Sequence, residues 1–429
     1  MPNESPPPQG DRVYLAVGED VFDDFTDYTV SSHLLKGASG FRFSTPWRTD
    51  SNGIADIKTL EQRGLVAGAT TRLFIQTGGV RRLQMTGKIE TVETHTDRAG
   101  GSVIILEGQD HLGPLVNGDA LPSIGGKNPS FRDVIFQQLA PYGFGSASVV
   151  VDGDASRALL TGKPAAGTTL SKDAPIVLED LKLEKAHAQS GETVFSFLER
   201  HARRFGLLVW GTPDGKIVFG RPNYEQKPLY SFLCRVGPAG TSNNVEVLAR
   251  KTSVMHRPSE IHVYGHSASR DFALSDVHEI VYDDYVRSCG IYSPLVIHDN
   301  NAKTKEQARQ RALYEMGVRR QHGDVCSFKM MGHQAEDGAI YSIDTIGDVQ
   351  WDAGGVHEAR YVISRTFTRS KGTGTHTQVE LVPKYSLVLG DPKVVPPAKV
   401  SKLSALKKLT PVEQAIATLA GGTKLKTES

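Results

Sequence analysis

The residue types that acid–base and metal chemistry require occur in five groupings along this chain. His256, His262 and His266 come nearest to a metal-ligand cluster, and the last two share one face if the segment is a strand. No cysteine lies nearby and Glu260 suits a strand face equally well, so no metal is expected there. His278-Glu279 and His357-Glu358 open like the zinc-protease motif, but Tyr282 and Tyr361 stand where its second histidine is required. Asp152 and Asp154 lack the further acidic position, the glycine and the closing glutamate of a calcium loop, which leaves a turn. Asp283 and Asp284 are neighbours in what reads as a strand, so they point to opposite faces and are expected as solvated surface. There is no Gly-x-Ser-x-Gly elbow and no Gly-x-x-x-x-Gly-Lys-Ser/Thr loop, and Gly372 and Gly374 lack the third glycine of a dinucleotide site. The expectation is a chain with no catalytic residue, no cofactor and no metal. Phe195, Phe197, Phe205 and Trp210 could form a sugar-binding platform, but their spacing on a capped helix and its adjoining strand places them in a core.

The elements that would have to position any such group are short and mostly β. At 429 residues the chain exceeds the roughly 250 to 300 that one core sustains, so two to four domains are expected. Hydrophobic residues make up 39% and charged residues 23%, which is ordinary for a folded globular protein. Forty-nine Lys and Arg against 48 Asp and Glu leave no overall field for gripping a phosphate backbone, so no sequence-specific nucleic-acid partner is expected. Cys234, Cys289 and Cys326 are odd in number and far apart, which suits a reducing compartment. Met1 to Gly10 lacks the apolar core of a signal peptide, and no run reaches the length of a membrane span.

From Asp11 onward, short apolar segments alternate with Gly, Asp, Asn and Ser clusters, the pattern of successive strands and turns. Gly78-Gly79 predicts a two-residue hairpin turn with Phe74 facing Leu83. In that register Arg72, Phe74, Gln76, Leu83 and Met85 share one face, and Leu73, Ile75, Val80, Arg82 and Gln84 the other. Ser130 is expected as a helix N-cap before Val134, Ile135 and Leu139, and residues 145–185 read as a long surface excursion. Ser190 is the expected N-cap of a second helix with Val194, Leu198, His201 and Phe205 on its stripe, ended by Gly206 and followed by a hairpin about Pro213-Asp214-Gly215. Thr304 and Gln307 predict a capping box for a helix running to Arg320. The resulting division is 1–10, a flexible N-terminus; 11–125, a first β-domain; 126–235, a helix-plus-hairpin domain; 236–389, a second β-domain with an inserted helix; and 390–429, an extended tail.

Taken in order, these segments resemble the baseplate hub proteins of Mu-like contractile-tailed bacteriophages. Three stretches carry the resemblance. The first runs from Thr86-Gly87-Lys88-Ile89 through Val103–Glu107 to Gly108-Gln109-Asp110-His111-Leu112-Gly113-Pro114. The second joins Gln189-Ser190-Gly191-Glu192-Thr193-Val194-Phe195 to Gly206-Leu207-Leu208-Val209-Trp210 and Asp214-Gly215-Lys216-Ile217-Val218. The third is the helix 308–320 leading to Met331-Gly332-His333, residues 338–341 and the final strands. The resemblance implies a β-rich α+β fold with two tube-forming, barrel-like domains around the helix-plus-hairpin domain. It implies a homotrimeric structural hub in the virion tail baseplate, assembled in the host cytoplasm, with relatedness to the hub part of type VI secretion spikes. Its implied partners are itself, the tail tube protein, the central spike, other baseplate proteins and the tape-measure protein, with no membrane. The alternative is a tail-associated cell-wall hydrolase, because glycosidase carboxylates can come from anywhere in a chain.

The tail inherits nothing from that resemblance. It holds seven lysines against Asp391, Glu413 and Glu428, and Pro396-Pro397 make its first half an extended linker. Thr410 as N-cap, Pro411, Glu413 and the stop at Gly421-Gly422 predict a short helix. Val412, Ile416 and Leu419 fall on one narrow apolar stripe of that helix, suited to a groove on a partner.

Overall fold

A computed structural model describes residues 11–46, 60, 64–77, 79–97, 101–121, 129–151, 178, 181–183, 186–238, 242–265, 277–300 and 302–387. All of them lie in one compact unit, Met1–Gly390. The tail helix with Val412, Ile416 and Leu419, the pair Asp152 and Asp154, His266 and residues 152–177 of the expected excursion lie outside the described residues.

The chain begins with seven strands, β1 (Arg12–Val17), β2 (Asp20–Phe22), β3 (Asp27–His33), β4 (Gly40–Pro46), β5 (Thr70–Thr77), β6 (Val80–Asp97) and β7 (Gly101–Asp110). Next come helices α1 (Gly113–Asn117) and α2 (Phe131–Leu139), then strand β8 (Val149–Val151), helix α3 (Val194–Ala202) and the hairpin β9 (Leu208–Gly211) and β10 (Ile217–Gly220). The remainder comprises β11 (Tyr230–Cys234), β12 (Val247–Thr252), β13 (Glu260–Tyr264), β14 (His278–Tyr282), α4 (Asp284–Ser288), β15 (Pro294–His298), α5 (Lys305–Gln321), β16 (Asp324–Met331), β17 (Thr345–Trp351), β18 (Val356–Ser370) and β19 (Gly374–Pro383).

Thirteen strands form one sheet in the order β12-β16-β19-β18-β3-β4-β7-β6-β5-β1-β2, with β17 branching from β18 and β11 parallel to β17. The β3–β18 pairing runs antiparallel from His33↔Ser364 to Tyr28↔Arg369, so a strand near the start of the chain and one near the end of the sheet-forming region share a ladder. Alternation supplies the core: Leu15, Val30, Phe43, Ile75, Leu106, Phe328, Phe367 and Val379 are all buried in a single apolar cluster. The 71–85 hairpin turns where expected, with Phe74 opposite Leu83. Its faces differ from the reading above. A bulge between Leu73 and Phe74 sets Leu73 opposite Met85, so Met85 joins Leu73 and Ile75 in the core.

The helix-plus-hairpin unit folds on local signals. Ser130 Oγ accepts the Asp133 N–H and starts α2. For α3 the N-cap is Thr193, whose Oγ1 accepts the Ser196 N–H, and not Ser190. Three residues, Gly191 to Thr193, separate Ser190 from the first helical residue Val194; among them Glu192 accepts the Gln189 N–H. After a 3₁₀ turn at Arg203–Phe205, Gly206 adopts a φ of 66° that ends the helix. Phe195, Phe197 and Trp210 are buried as core residues, and Phe205 packs against the cluster that holds Phe195 and Phe197. A separate three-stranded sheet, β14-β13-β15, lies against α5 through Ile261, Val263, Ala308, Ala312 and Met316. Thr304 caps α5 through the Gln307 N–H, while Gln307 returns its side chain to the Lys303 N–H.

Gly108 shows where packing tolerates nothing larger. A Cβ there would sit 2.1 Å from the Lys88 carbonyl and 2.5 Å from the Phe41 ring, beside the bulge where β6 shifts register on β7. Gly108→Ala should therefore destabilise the protein by about 1 to 3 kcal/mol in denaturant unfolding. Gly372→Ala, with open space at its Cβ, should leave the midpoint unchanged.

Candidate assembly site

Residues of the sequence-stated candidates come to rest in structural roles. Asp283 is not on a strand, since β14 ends at Tyr282; it is the N-cap of α4, accepting the Tyr285 and Val286 N–H groups. Nor is it solvated surface, being 1% exposed and held by Arg257 at 2.7 Å and Arg320 at 3.1 Å. Burial alone would raise its pKa, but the Arg257 hydrogen bond and the charges of Arg320 and Arg257 leave it below the ordinary value. Asp284 opens the helix and is exposed.

His262 does not meet His256, which is exposed in a left-handed turn at φ 58°. It meets His278 across the β13–β14 pair, Nδ1 to Nε2 at 3.2 Å, and reaches Glu260 Oε1 at 3.0 Å. The His278 ring lies over Tyr264 at 4.1 Å between centroids and nearly parallel to it, so the rings form a stack. Among the described residues no group of three His, Cys, Asp or Glu is placed to hold a metal ion. Among the same residues no helix is long and apolar enough to cross a membrane.

The uncovered apolar surface clusters here as well. Pairing puts Tyr282 beside Glu260 and Pro294, Ile280 beside His262 and Val296, and His278 beside Tyr264 and His298, all on the face turned away from α5. Val296 is 52% exposed and Tyr292 76%, with Tyr285 and Met255 exposed close by in sequence. The sequence carries one sign of this face that was missed: β15 reads Pro-Leu-Val-Ile-His, apolar at every position but the last, so both of its faces seek cover.

A second cluster, of Trp210, Val218, Tyr224, Tyr314, Ile346 and Tyr361, joins the β9–β10 hairpin to α5 and to β17 and β18. The hairpin also grips the first half of the sheet, where Thr86 Oγ1 donates to the Pro213 carbonyl at 2.6 Å. The helix-plus-hairpin unit thereby sits against both halves of the large sheet.

This fold is similar to that of solved phage tail proteins. It matches a tail protein from Neisseria meningitidis with a TM-score of 0.68 and 20% identity, covering 88% of this chain and 99% of that one. It also matches the 43 kDa tail protein of prophage MuSo2 from Shewanella oneidensis, with a TM-score of 0.64, 18% identity and coverage of 88% and 99%. A third match is an E. coli type VI secretion component described as similar to the T4 tail proteins gp27 and gp5, at a TM-score of 0.50, 11% identity and coverage of 89% and 80%. More particularly, residues 176–221, which include α3 and the β9–β10 hairpin, match the family model of the second domain of gp44-like baseplate hub proteins. No curated protein sequence matches the chain.

Buried ionisable groups make the fold acid-sensitive. Burial drives the pKa of His201 down to about 2 and that of His333 to about 3, so both are neutral in the folded state. The unfolded chain then takes up two more protons as pH falls below about 6.5, and stability falls with it by about 1.4 kcal/mol per pH unit for each. Burial raises Asp110 to about 6, which contributes with the opposite sign between its unfolded value of 3.8 and that pH. The unfolding midpoint should drop from pH 7 to pH 5, and Asp110→Asn, by removing the opposing group, should steepen the drop.

Proposed function

We propose that this chain is a structural, non-enzymatic subunit of the baseplate hub of a contractile phage tail. In this reading three copies form a ring. Each contributes two tube-forming, barrel-like domains, 11–125 and 236–389, so six such domains meet the six-fold tail tube above and the three-fold spike below. The observation that carries the reading is the hub-domain match at 176–221, the unit packed against both halves of the sheet. The likeness to tail proteins along nearly the whole of their length supports it. The likeness to a type VI secretion component supports a spike as partner. The uncovered face of β14-β13-β15 suits a molecule whose neighbours complete its surface. Assembly would take place in the host cytoplasm, and the finished subunit would reside in the virion baseplate. Image reconstruction of the assembled tail should show three-fold density at its tip with one chain per sector. Six copies or one copy there would overturn the reading.

The tail supplies the second part of the proposal. Its helix, with Val412, Ile416 and Leu419 as anchors, docks on an adjacent component such as the spike or the tape-measure protein, and the lysines assist the encounter. A helix of this length is unstable alone in water and gains its order from the partner. Replacing Ile416 and Leu419 together by Asp should abolish co-purification with that component and reduce infectivity while the hub trimer stays intact. Unchanged co-purification would rule the docking role out.

A further inference from the structure

Arg365 on β18 is 2% exposed, yet no carboxylate contacts it among the described residues. Its Nη1 donates to Gln84 Oε1 at 2.9 Å and, more weakly, to the Tyr341 carbonyl at 3.5 Å; its Nη2 donates to Ser32 Oγ at 2.9 Å. The Phe367 ring lies 4.1 Å from the guanidinium carbon, and Nε has no hydrogen-bond partner. Burial lowers the pKa to about 10, so the group keeps its charge at neutral pH. Arg360, five residues earlier on the same strand and equally buried, is bound by Asp324 and Glu358. A charge taken out of water without such a counter-ion is costly, and neutral acceptors only partly offset that cost.

Arg365 also lines a cavity of about 20 Å³, whose other polar walls are Ser32, Ser39, Gln84, Asp110, Thr212 and Ser342. That is room for one water-sized particle. Asp110 is the acid of this lining, but its two oxygens accept the Ser39 and Leu112 N–H groups at 2.9 Å each, and it forms no ion pair with Arg365. The guanidinium therefore faces a polar space without a contact anion of its own.

We propose that this cavity is a binding site for one small monovalent anion of the halide class, held by Arg365 and the Ser32 hydroxyl. Water also fits it, but water gives the guanidinium no contact counter-ion, and Asp110, ionised above about pH 6, is spent on its own N–H donors. The site lies where the first half of the sheet (Ser32, Gln84), the hairpin turn (Thr212) and the second half (Ser342, Arg365) meet, so the bound ion ties the three together.

The test uses the intact protein crystallised from bromide, with the anomalous signal read at the cavity, and thermal unfolding in chloride or bromide against gluconate at matched ionic strength. The expected results are a bromide peak beside Arg365 and a melting temperature higher in halide than in gluconate, a difference that Arg365→Gln removes. Water alone in the cavity, a peak present only in molar bromide, or a halide effect that persists in Arg365→Gln each overturns the proposal. Should that variant fail to fold, the bromide map of the unaltered protein decides.

Discussion

β3 and β18 hydrogen-bond along six register positions, joining residues 28–33 to residues 364–369. Every other arrangement in the molecule has to be compatible with that contact. Loop closure becomes costlier only slowly with loop length, by about 0.6 kcal/mol for each doubling, so a contact across the whole chain is affordable once both strands have local partners. Both have them: β3 pairs with β4, and β18 with β19 and β17. Buried polar groups then fix the register. Tyr28 and His333 share a hydrogen bond at 2.7 Å, and His333 Nδ1 reaches Thr377 at 3.0 Å, so a slip of one residue would strand these groups in the core.

With the sheet joined in this way, the rest of the chain fills the space it leaves. The helix-plus-hairpin unit occupies the intervening segment and packs against both halves. The α5 insert covers one face of a separate small sheet and is tied to the unit by Tyr314, whose hydroxyl donates to Glu199 at 2.9 Å. Ion pairs reinforce these joints. Asp324 binds Arg250 and Arg360 together, and Asp283 binds Arg257 and Arg320. Buried pairs of this kind add little net stability over apolar packing, but removing one partner leaves the other uncompensated, so they penalise misassembled arrangements.

Local features of this fold were legible in the sequence because local chemistry decides them. Ser130, Thr304 and Gly206 each act within a few residues and each marks the element expected of it, and the 71–85 hairpin pairs Thr77 with Val80. Thr193 was missed beside Ser190 because two hydroxyl residues close together both satisfy the capping rule, and only the packing of Val194 and Phe195 selects between them. The bulge that moves Met85 into the core leaves no mark in a short stretch where apolar residues occur on both faces. Sheet order, and the pairing of β11 with β17 at the edge of the helix-plus-hairpin segment, are non-local and invisible to periodicity. Arg365 did leave a sign, a charge in an inward position between Ile363 and Phe367, but only burial shows that it lacks an acid.

The same interior also bears on what the protein does. A proton-transfer residue needs a pKa near the working pH and access to a substrate. Here burial holds His201 and His333 far below neutrality, and Asp283 and Asp324 are committed to arginine pairs that keep them ionised. These four groups keep their charge state near neutral pH, whereas Asp110, raised to about 6 by burial, is the one that changes it. The small sheet β14-β13-β15 is covered on one side only: α5 packs on one face, while Tyr282 and Val296 stand exposed on the other among Glu260, His262, His278 and His298. A strand apolar on both sides is stable in water only at the cost of that exposure, and a covering neighbour removes the cost.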